Sequence, residues 1–290
     1  MKIVIIAQEE PVYFGPFLRA VIAARAQDVV LVAIIGHRGA GSHPKTFWKK
    51  IVNLYSLWRL LEPAGFLGHL AIRCYQKGLA IFGWIGTQLD KRSVEGIAKR
   101  HNLDIQFISD VNDPSFLSVL KRIDPDVVIN QSELLLKQEL LLIPKIGVLN
   151  RHASLLPHFR GRLASFWGHA SEPPEYGVTI HFVHEEIDSG PIVVQKKFDL
   201  DPRISYAKTL EILFQASVPL MLEALEKIAQ PSFSPLPNHY QGTPVSRFPT
   251  LGQIQNYREV LRERRAVRKE ASPRSPASSN VSRDTEAEVK

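Results

Sequence analysis

Residues 2–36, KIVIIAQEEPVYFGPFLRAVIAARAQDVVLVAIIG, decide the fold. Residues 2–7 are an unbroken, largely β-branched apolar run flanked by polar side chains, which suits a strand covered on both faces. Residues 11–26 then place apolar side chains at helical spacing, and residues 29–36 make a second apolar strand. A β-helix-β beginning implies a parallel sheet with right-handed crossovers. Because the first apolar run is short and meets Glu9 and Glu10 at once, it reads as a strand rather than a signal-peptide core.

The alternation continues along the chain. Helical spacing is read at 93–102 and 115–123, strands at 105–109 and 126–130 (DVVIN), and a strand end at 147–152. Residues 177–184 and 191–198 read as a strand pair, and 206–229 as a long amphipathic helix. The expected fold class is therefore α/β, a Rossmann-like, mostly parallel sheet with helices on both faces, spanning residues 1–230.

Two segments depart from that plan. Between 37 and 91 lies an aromatic-rich insert in which Phe47, Ile51, Leu54, Trp58 and Leu61, then Leu67, Leu70 and Cys74, recur at three to four residues. It is expected to be an inserted helical hairpin packed on the sheet edge. A lid, a dimer contact or a membrane-surface contact with Lys49, Lys50, Arg59, Arg73 and Lys77 outward is the functional alternative. Residues 231–270 form a short C-terminal extension, a proline-rich extended segment followed by a basic helix over 251–265. The tail, 271–290, lacks aromatic residues and is expected to be disordered.

With 290 residues, 44% hydrophobic and 22% charged, the chain is neither fibrous nor wholly disordered. Its single cysteine, Cys74, excludes an internal disulfide and a cysteine zinc cluster; it reads as a small buried apolar residue in a chain of a reducing, cytoplasmic compartment. The longest uncharged apolar stretch, 78–89, is too short for a transmembrane segment, which needs ~20 residues. The net charge of +7 is concentrated: Arg258, Arg262, Arg264, Arg265, Arg268 and Lys269 face only Glu259 and Glu263 in one short stretch. Such a run more often solvates a helix face than binds a phosphate backbone.

Chemistry concentrates in residues 147–195, GVLNRHASLLPHFRGRLASFWGHASEPPEYGVTIHFVHEEIDSGPIVVQ. Asn150 and His152 stand two apart at a strand end, so both project to one side, and an amide and an imidazole there can donate to a single developing oxyanion. Ligand crevices of open α/β sheets lie at such strand ends. Arg160-Gly161-Arg162 is expected to open a helix with cations at hand. His181 lies within a strand, and the loop 184–190 can bring Asp188 beside His152, keeping it protonated and helping move a proton from an attacking amine. Singly, these motifs are ordinary turn chemistry. A zinc set of His152, His158, His181 and Asp188 lacks any supporting H-E-x-x-H helix, and Ser154 lacks a nucleophile elbow.

Taken together, Asn150-Arg151-His152-Ala153-Ser154-Leu155-Leu156-Pro157, Arg160-Gly161, residues 177–183 (GVTIHFV) and residues 187–192 (IDSGPI) resemble the signature of the folate-dependent formyltransferases. That family includes glycinamide ribonucleotide, methionyl-tRNA and sugar N-formyltransferases and formyltetrahydrofolate hydrolase. The resemblance covers residues 1–230 apart from the insert. It implies an enzyme using 10-formyltetrahydrofolate as formyl donor, with Asn150, His152 and Asp188 as the catalytic triad. It further implies a pterin held along Glu133, Leu134 and Leu136 and along His184, Glu185 and Glu186. His181 is expected beside the acceptor, with Arg160 and Arg162 meeting its phosphates.

Departures from the family pattern bear on the acceptor. The glycine-rich phosphate loop expected after the first strand in the glycinamide ribonucleotide enzymes reads AQEEPVYFG here, with Glu9 and Glu10 where a phosphate would be repelled. The β-barrel that the methionyl-tRNA enzymes append has little room in the roughly sixty residues after Gln230. The hydrolases carry a regulatory domain before the catalytic one, and none precedes Met1. The expectation is N-formyl transfer to a small primary amine such as a nucleotide-linked amino sugar. The alternatives are a barrel-less methionyl-tRNA enzyme, with tRNA as partner, a hydrolase, or a non-catalytic folate-binding protein.

Overall fold

The computed structural model describes residues 1–10, 12–36, 47–82, 85–86 and 89–271, and the disorder expected of the tail lies outside them. Strands β1 (Ile3–Gln8), β2 (Val29–Ile35), β3 (Ile105–Ile108), β4 (Val127–Gln131), β5 (Gly147–His152), β7 (Tyr176–Phe182) and β8 (Ile192–Phe198) make a seven-stranded sheet in the order β3-β2-β1-β4-β5-β7-β8. The first five run parallel, β7 is antiparallel to β5, and β8 is antiparallel to β7, so β7 alone is reversed. This is the Rossmann-like α/β sheet the apolar runs predict.

Side-chain alternation along the strands divides the interior into two cores. Ile3, Ile5, Val32, Ile129, Leu149 and Ile180 face helices α1 (Phe14–Arg25), α3 (Val94–Arg100) and α7 (Tyr206–Ile228). Val4, Ile6, Ala33, Val128 and Val148 face α4 (Pro114–Ile123) and α5 (Gln138–Leu141). The same alternation decides which way β5 sends its last three residues. Leu149 and Arg151 take the first face, Val148, Asn150 and His152 the second.

Helix starts follow local chemistry. Ser93, Asp113 and Ser205 accept from amides of the first turns of α3, α4 and α7, and Pro114 opens α4. Helix α1 is capped differently. The Glu10 carboxylate accepts from the amides of Val12, Tyr13 and Phe14 at 3.0, 2.7 and 3.0 Å, while Glu9 accepts from Val94 and Glu95 at the start of α3 at 3.0 and 2.9 Å. The positive end of α1 therefore holds a carboxylate from the chain itself.

The insert differs from the hairpin on the sheet edge. The two expected helices are present within α2 (Phe47–Ala80) and meet at a kink at Glu62, whose backbone leaves the helical region at φ 61° just before Pro63. The insert packs on α7 and on the C-terminal helix α8 (Leu251–Ala271), not on an edge strand. Leu60 and Leu61 enter a third core with Phe166, Tyr206, Ile254 and Tyr257. The expected stripe of Leu67, Leu70 and Cys74 is exposed, Leu67 at 61%, because that half of α2 has no partner layer beneath these positions. The side chains of Phe47, Ile51 and Leu54 lie outside the described residues. No described helix is long and apolar enough to cross a membrane.

Helix α8 is not the free basic face its sequence suggests. Arg265 donates to both oxygens of Glu62 at 2.7 and 3.0 Å and to the Arg203 carbonyl at 2.8 Å, and Arg258 approaches Glu62 at 3.3 Å. Arg264 donates to the carbonyls of His169 and Ser171 at 2.8 and 2.9 Å. Three cations of the run thus fasten α8 to the body. Glu62→Gln should lower stability on the order of 1 kcal/mol, a value discounted because Arg265 is 39% exposed, and chemical denaturation of the full chain measures it.

Candidate active site

Asn150 and His152 reach the second face at the carboxyl end of β5, and β7 brings His181 directly opposite Asn150. The Asn150 amide nitrogen lies 3.4 Å from His181 Nε2. His181 Nε2 stands 3.6 Å from Asp188 Oδ1, and His152 Nδ1 stands 3.5 Å from Asp188 Oδ2. The amide, two imidazoles and one carboxylate form an unbroken chain.

The outer nitrogens define the tautomers. His181 Nδ1 is 2.7 Å from the Phe182 carbonyl and His152 Nε2 is 3.1 Å from the Phe159 carbonyl, so each donates outward and turns its inner nitrogen to Asp188. Burial pushes His181 down to about 4, with Asp188 working the other way. Burial alone would raise the Asp188 carboxyl, but His152, His181, the Gly161 amide and Arg160 outweigh it and hold it below the usual carboxylate range. His169, behind the site, is also pushed down to about 4, by burial and then by Arg264 and Arg265.

These histidines give stability a direction with pH. Folded His169 stays neutral where the unfolded chain, with an imidazole near pH 6.5, binds a proton. Stability is therefore complete at neutral pH and falls as pH drops from about 6.5 toward 4, by up to about 3 kcal/mol for this group. Denaturant midpoints measured at pH 7 and pH 5 check the fall, and His169→Gln should reduce it while leaving the share that His181 contributes.

Three residues, Gly161, Asn238 and Arg160, hold Asp188 and its loop. The Asp188 backbone is left-handed at φ 48°, which an Asp tolerates, and its Oδ2 accepts from the Gly161 amide at 2.7 Å. Asn238 Nδ2 donates to the carbonyls of Asp188 and Gly190 at 3.0 and 3.1 Å. Arg160 donates through Nε and Nη2 to the Ile187 carbonyl at 2.9 and 2.5 Å, reaches the Thr243 carbonyl at 3.2 Å, and stacks on Tyr240 at 4.6 Å. Arg160 is consequently buried and engaged with backbone, which corrects its expected contact with acceptor phosphates. The Arg160-Gly161 pair is not a helix start either. It is a short strand, β6 (Arg160–Gly161), parallel to β9 (Val245–Ser246), and α6 (Ala164–Ala170) begins later.

The remaining expected residues scatter. Arg162 is exposed and pairs with Glu133 at 2.5 Å, joining the loop after β4 to the loop after β6. Leu136 is a core side chain packed with Val128 and Leu140, because the loop turns inward there to start α5. Leu134, Leu135 and Ile187 are exposed apolar side chains, and His184, Glu185 and Glu186 are exposed on the loop before Asp188. His158 turns away to Glu175 at 3.1 Å, and among the described residues no three His, Cys, Asp or Glu side chains make a metal set. Ser154 donates to the His158 carbonyl and orders the turn after β5. Arg151, between Asn150 and His152, projects to the opposite face. There its Nε donates to Gln131 at 3.2 Å and its guanidinium lies 3.8 Å from the Phe214 ring centroid, and burial pushes it down to about 10. Asn238 and Tyr240 carried no signal in a segment read only as extended surface chain.

Residues 88–224 match the family model described as formyl transferase. This segment belongs to the formyl transferase family. It holds Asn150, His152, His181 and Asp188. Among curated proteins the chain is similar to the methionyl-tRNA formyltransferase of Chlorobium chlorochromatii, 29% identical over 153 residues, 53% of this chain and 48% of that protein. It is likewise similar to that of Thermotoga maritima, 30% identical over 144 residues, 49% of this chain and 46% of that protein. The chain spans about half the length of the curated relatives it matches.

Solved structures share the formyl transferase fold over more of the chain. A phosphoribosylglycinamide formyltransferase from Anaplasma phagocytophilum superposes with TM-score 0.54 at 16% identity, over 79% of this chain and 87% of that one. A sugar N-formyltransferase from a Shewanella species gives 0.51 at 15% identity, over 89% and 86%. At these identities the likeness is one of fold.

Proposed function

We propose that the chain is an N-formyltransferase that moves a formyl group from 10-formyltetrahydrofolate to the primary amine of a small acceptor, such as a nucleotide-linked amino sugar. The observation that carries the reading is the Asp188 carboxylate set between the inner nitrogens of His152 and His181, with Asn150 continuing the chain. Such a set can donate to a carbonyl oxygen as negative charge builds on it, and can hold a proton nearby.

The donor supplies an activated formyl group when bound. Leu134 and Leu135 on one loop and Ile187 on the other offer exposed apolar contact for a flat heterocycle, and Glu133 to Leu136 with His184 to Glu186 would hold it. Asn150 would donate to the formyl oxygen. His152 would add a second donor by turning its Nε2–H from the Phe159 carbonyl to that oxygen, and Asp188, through water, would take the proton the attacking amine loses and pass it to the folate nitrogen that leaves as its bond to the formyl carbon breaks. His181, neutral and fixed to the Phe182 carbonyl, would orient the Asn150 amide.

Two observations favour a small acceptor. The start of α1 is occupied by Glu10, so a phosphate there would meet a carboxylate. Arg258, Arg264 and Arg265 are tied to the protein body and do not form an open track for a phosphate backbone. The second reading, transfer to methionyl-tRNA, is favoured by the names of the curated relatives. Incubating the full chain with 10-formyltetrahydrofolate and either nucleotide-linked amino sugars or charged initiator tRNA separates them. Folate release with the sugars supports the proposal, and release with tRNA alone selects the second reading. Release without acceptor means hydrolysis, and none under any condition leaves a folate-binding protein.

A further inference from the structure

A cavity of about 950 Å³ lies between the start of α1, the second half of α2 and the first turns of α7. These helices cover the face of the sheet opposite Asn150 and His152, so the cavity is separate from the loops that flank Asp188. The second half of the insert supplies one wall, through Gly65, Gly68, His69, Ile72 and Tyr75.

The lining has two characters. Tyr13 and Tyr75 present aromatic rings, with Phe214 stacked behind Tyr13 at 5.2 Å and Phe17 buried beneath. Arg19, Lys91, Arg92 and Lys208 present cations. Among the described lining residues the single carboxylate is Glu211, which pairs with Lys208 at 2.9 Å. A surplus of positive charge around aromatic walls suits an anion that carries a flat ring.

Two buried polar atoms point the same way. Nδ1 of His69, in the wall, is buried with no hydrogen-bond partner among the described residues. So is Nη1 of Arg151, whose guanidinium, 9% exposed by residue, lies behind the lining rings, 3.8 Å from Phe214 and 5.8 Å from Phe17. Buried donors of native structures are normally paired, and a buried arginine without a carboxylate raises the positive potential behind those rings. The start of α1, the other anion-attracting element at this edge, is closed by Glu10.

We propose that this cavity binds a nucleoside diphosphate, its base against Tyr13 and Tyr75 and its phosphates among Arg19, Lys91, Arg92 and Lys208. The insert then has a role, as the wall that turns an open helix surface into a binding site. Through Arg151 the occupied cavity abuts the strand residue between Asn150 and His152. The binding does not depend on formyl transfer.

Calorimetric titration of the full chain with ADP and with UDP tests this, with adenosine, uridine and pyrophosphate as the separated halves. At least one diphosphate should bind tenfold or more tightly than either of its halves. Gly68 meets open space where a Cβ would stand, so Gly68→Trp should fill the cavity and abolish binding without lowering Tm. Arg19→Ala should weaken binding severalfold, and serves alone if the tryptophan variant does not fold. The proposal is overturned if neither diphosphate binds at millimolar concentration, if pyrophosphate binds as well as the diphosphates, or if binding survives both substitutions. No outcome here bears on formyl transfer, which is measured with the donor and an amine.

Discussion

Asn150→Ala should reduce formyl transfer on the order of 100-fold or more, the loss expected when one of the donors to a developing oxyanion is removed, about 3 kcal/mol of barrier. The amide meets the His181 ring at a long 3.4 Å, so Tm should stay close to that of the unaltered protein. His152→Ala should cost at least as much, because it removes a donor and the imidazole that faces Asp188 at 3.5 Å. Initial rates with saturating 10-formyltetrahydrofolate and the acceptor found by screening give the comparison. A rate within a few fold of the starting enzyme in both folded variants would remove these residues from the reaction.

The second large effect is expected at a residue with no polar chemistry. A Cβ on Gly190 would stand 1.9 Å from the Phe182 carbonyl oxygen, so Gly190→Ala must push the 187–190 loop off β7. That carries Asp188 away from both imidazoles at once. Transfer should fall on the order of 100-fold, as misplacement by about 1 Å can do, and stability should fall by about 1 to 3 kcal/mol. Gly242→Ala is the contrasting variant. It has left-handed backbone at φ 79° but open space around its Cβ, so only the backbone cost of about 1 kcal/mol should appear, with activity retained. Equal behaviour of the two would mean that the close approach at Gly190 does not position Asp188.

Much of this was legible in residue order. Continuous apolar runs marked β1, β2 and β4 because a strand covered on both faces has no polar side to show. The same alternation put Asn150 and His152 on one face. The contacts that hold Asp188 were not legible, since they join residues far apart in the chain through two-residue strands and single side chains. Neither β6 nor β9 is long enough to generate a period, and Asn238 reaches back fifty positions. Arg160 looked like a free cation because a sequence shows its charge and not the carbonyls of Ile187 and Thr243 around it. For the insert, periodicity located the helix, while Pro63 was the available sign of its break. Which face met other helices depended on α7 and α8, whose positions a local pattern does not encode.

The stretch from Asn238 to Ser246 supplies clamps on the loop that carries Asp188, although it lies beyond the family-matched region, 88–224. Grafting the matched region alone onto another scaffold would transplant all four polar groups, with Gly161 and Arg160, and leave the aspartate without its Asn238 contact. The working unit of this protein extends at least to Ser246, and a transplant aimed at activity has to carry that strap with it.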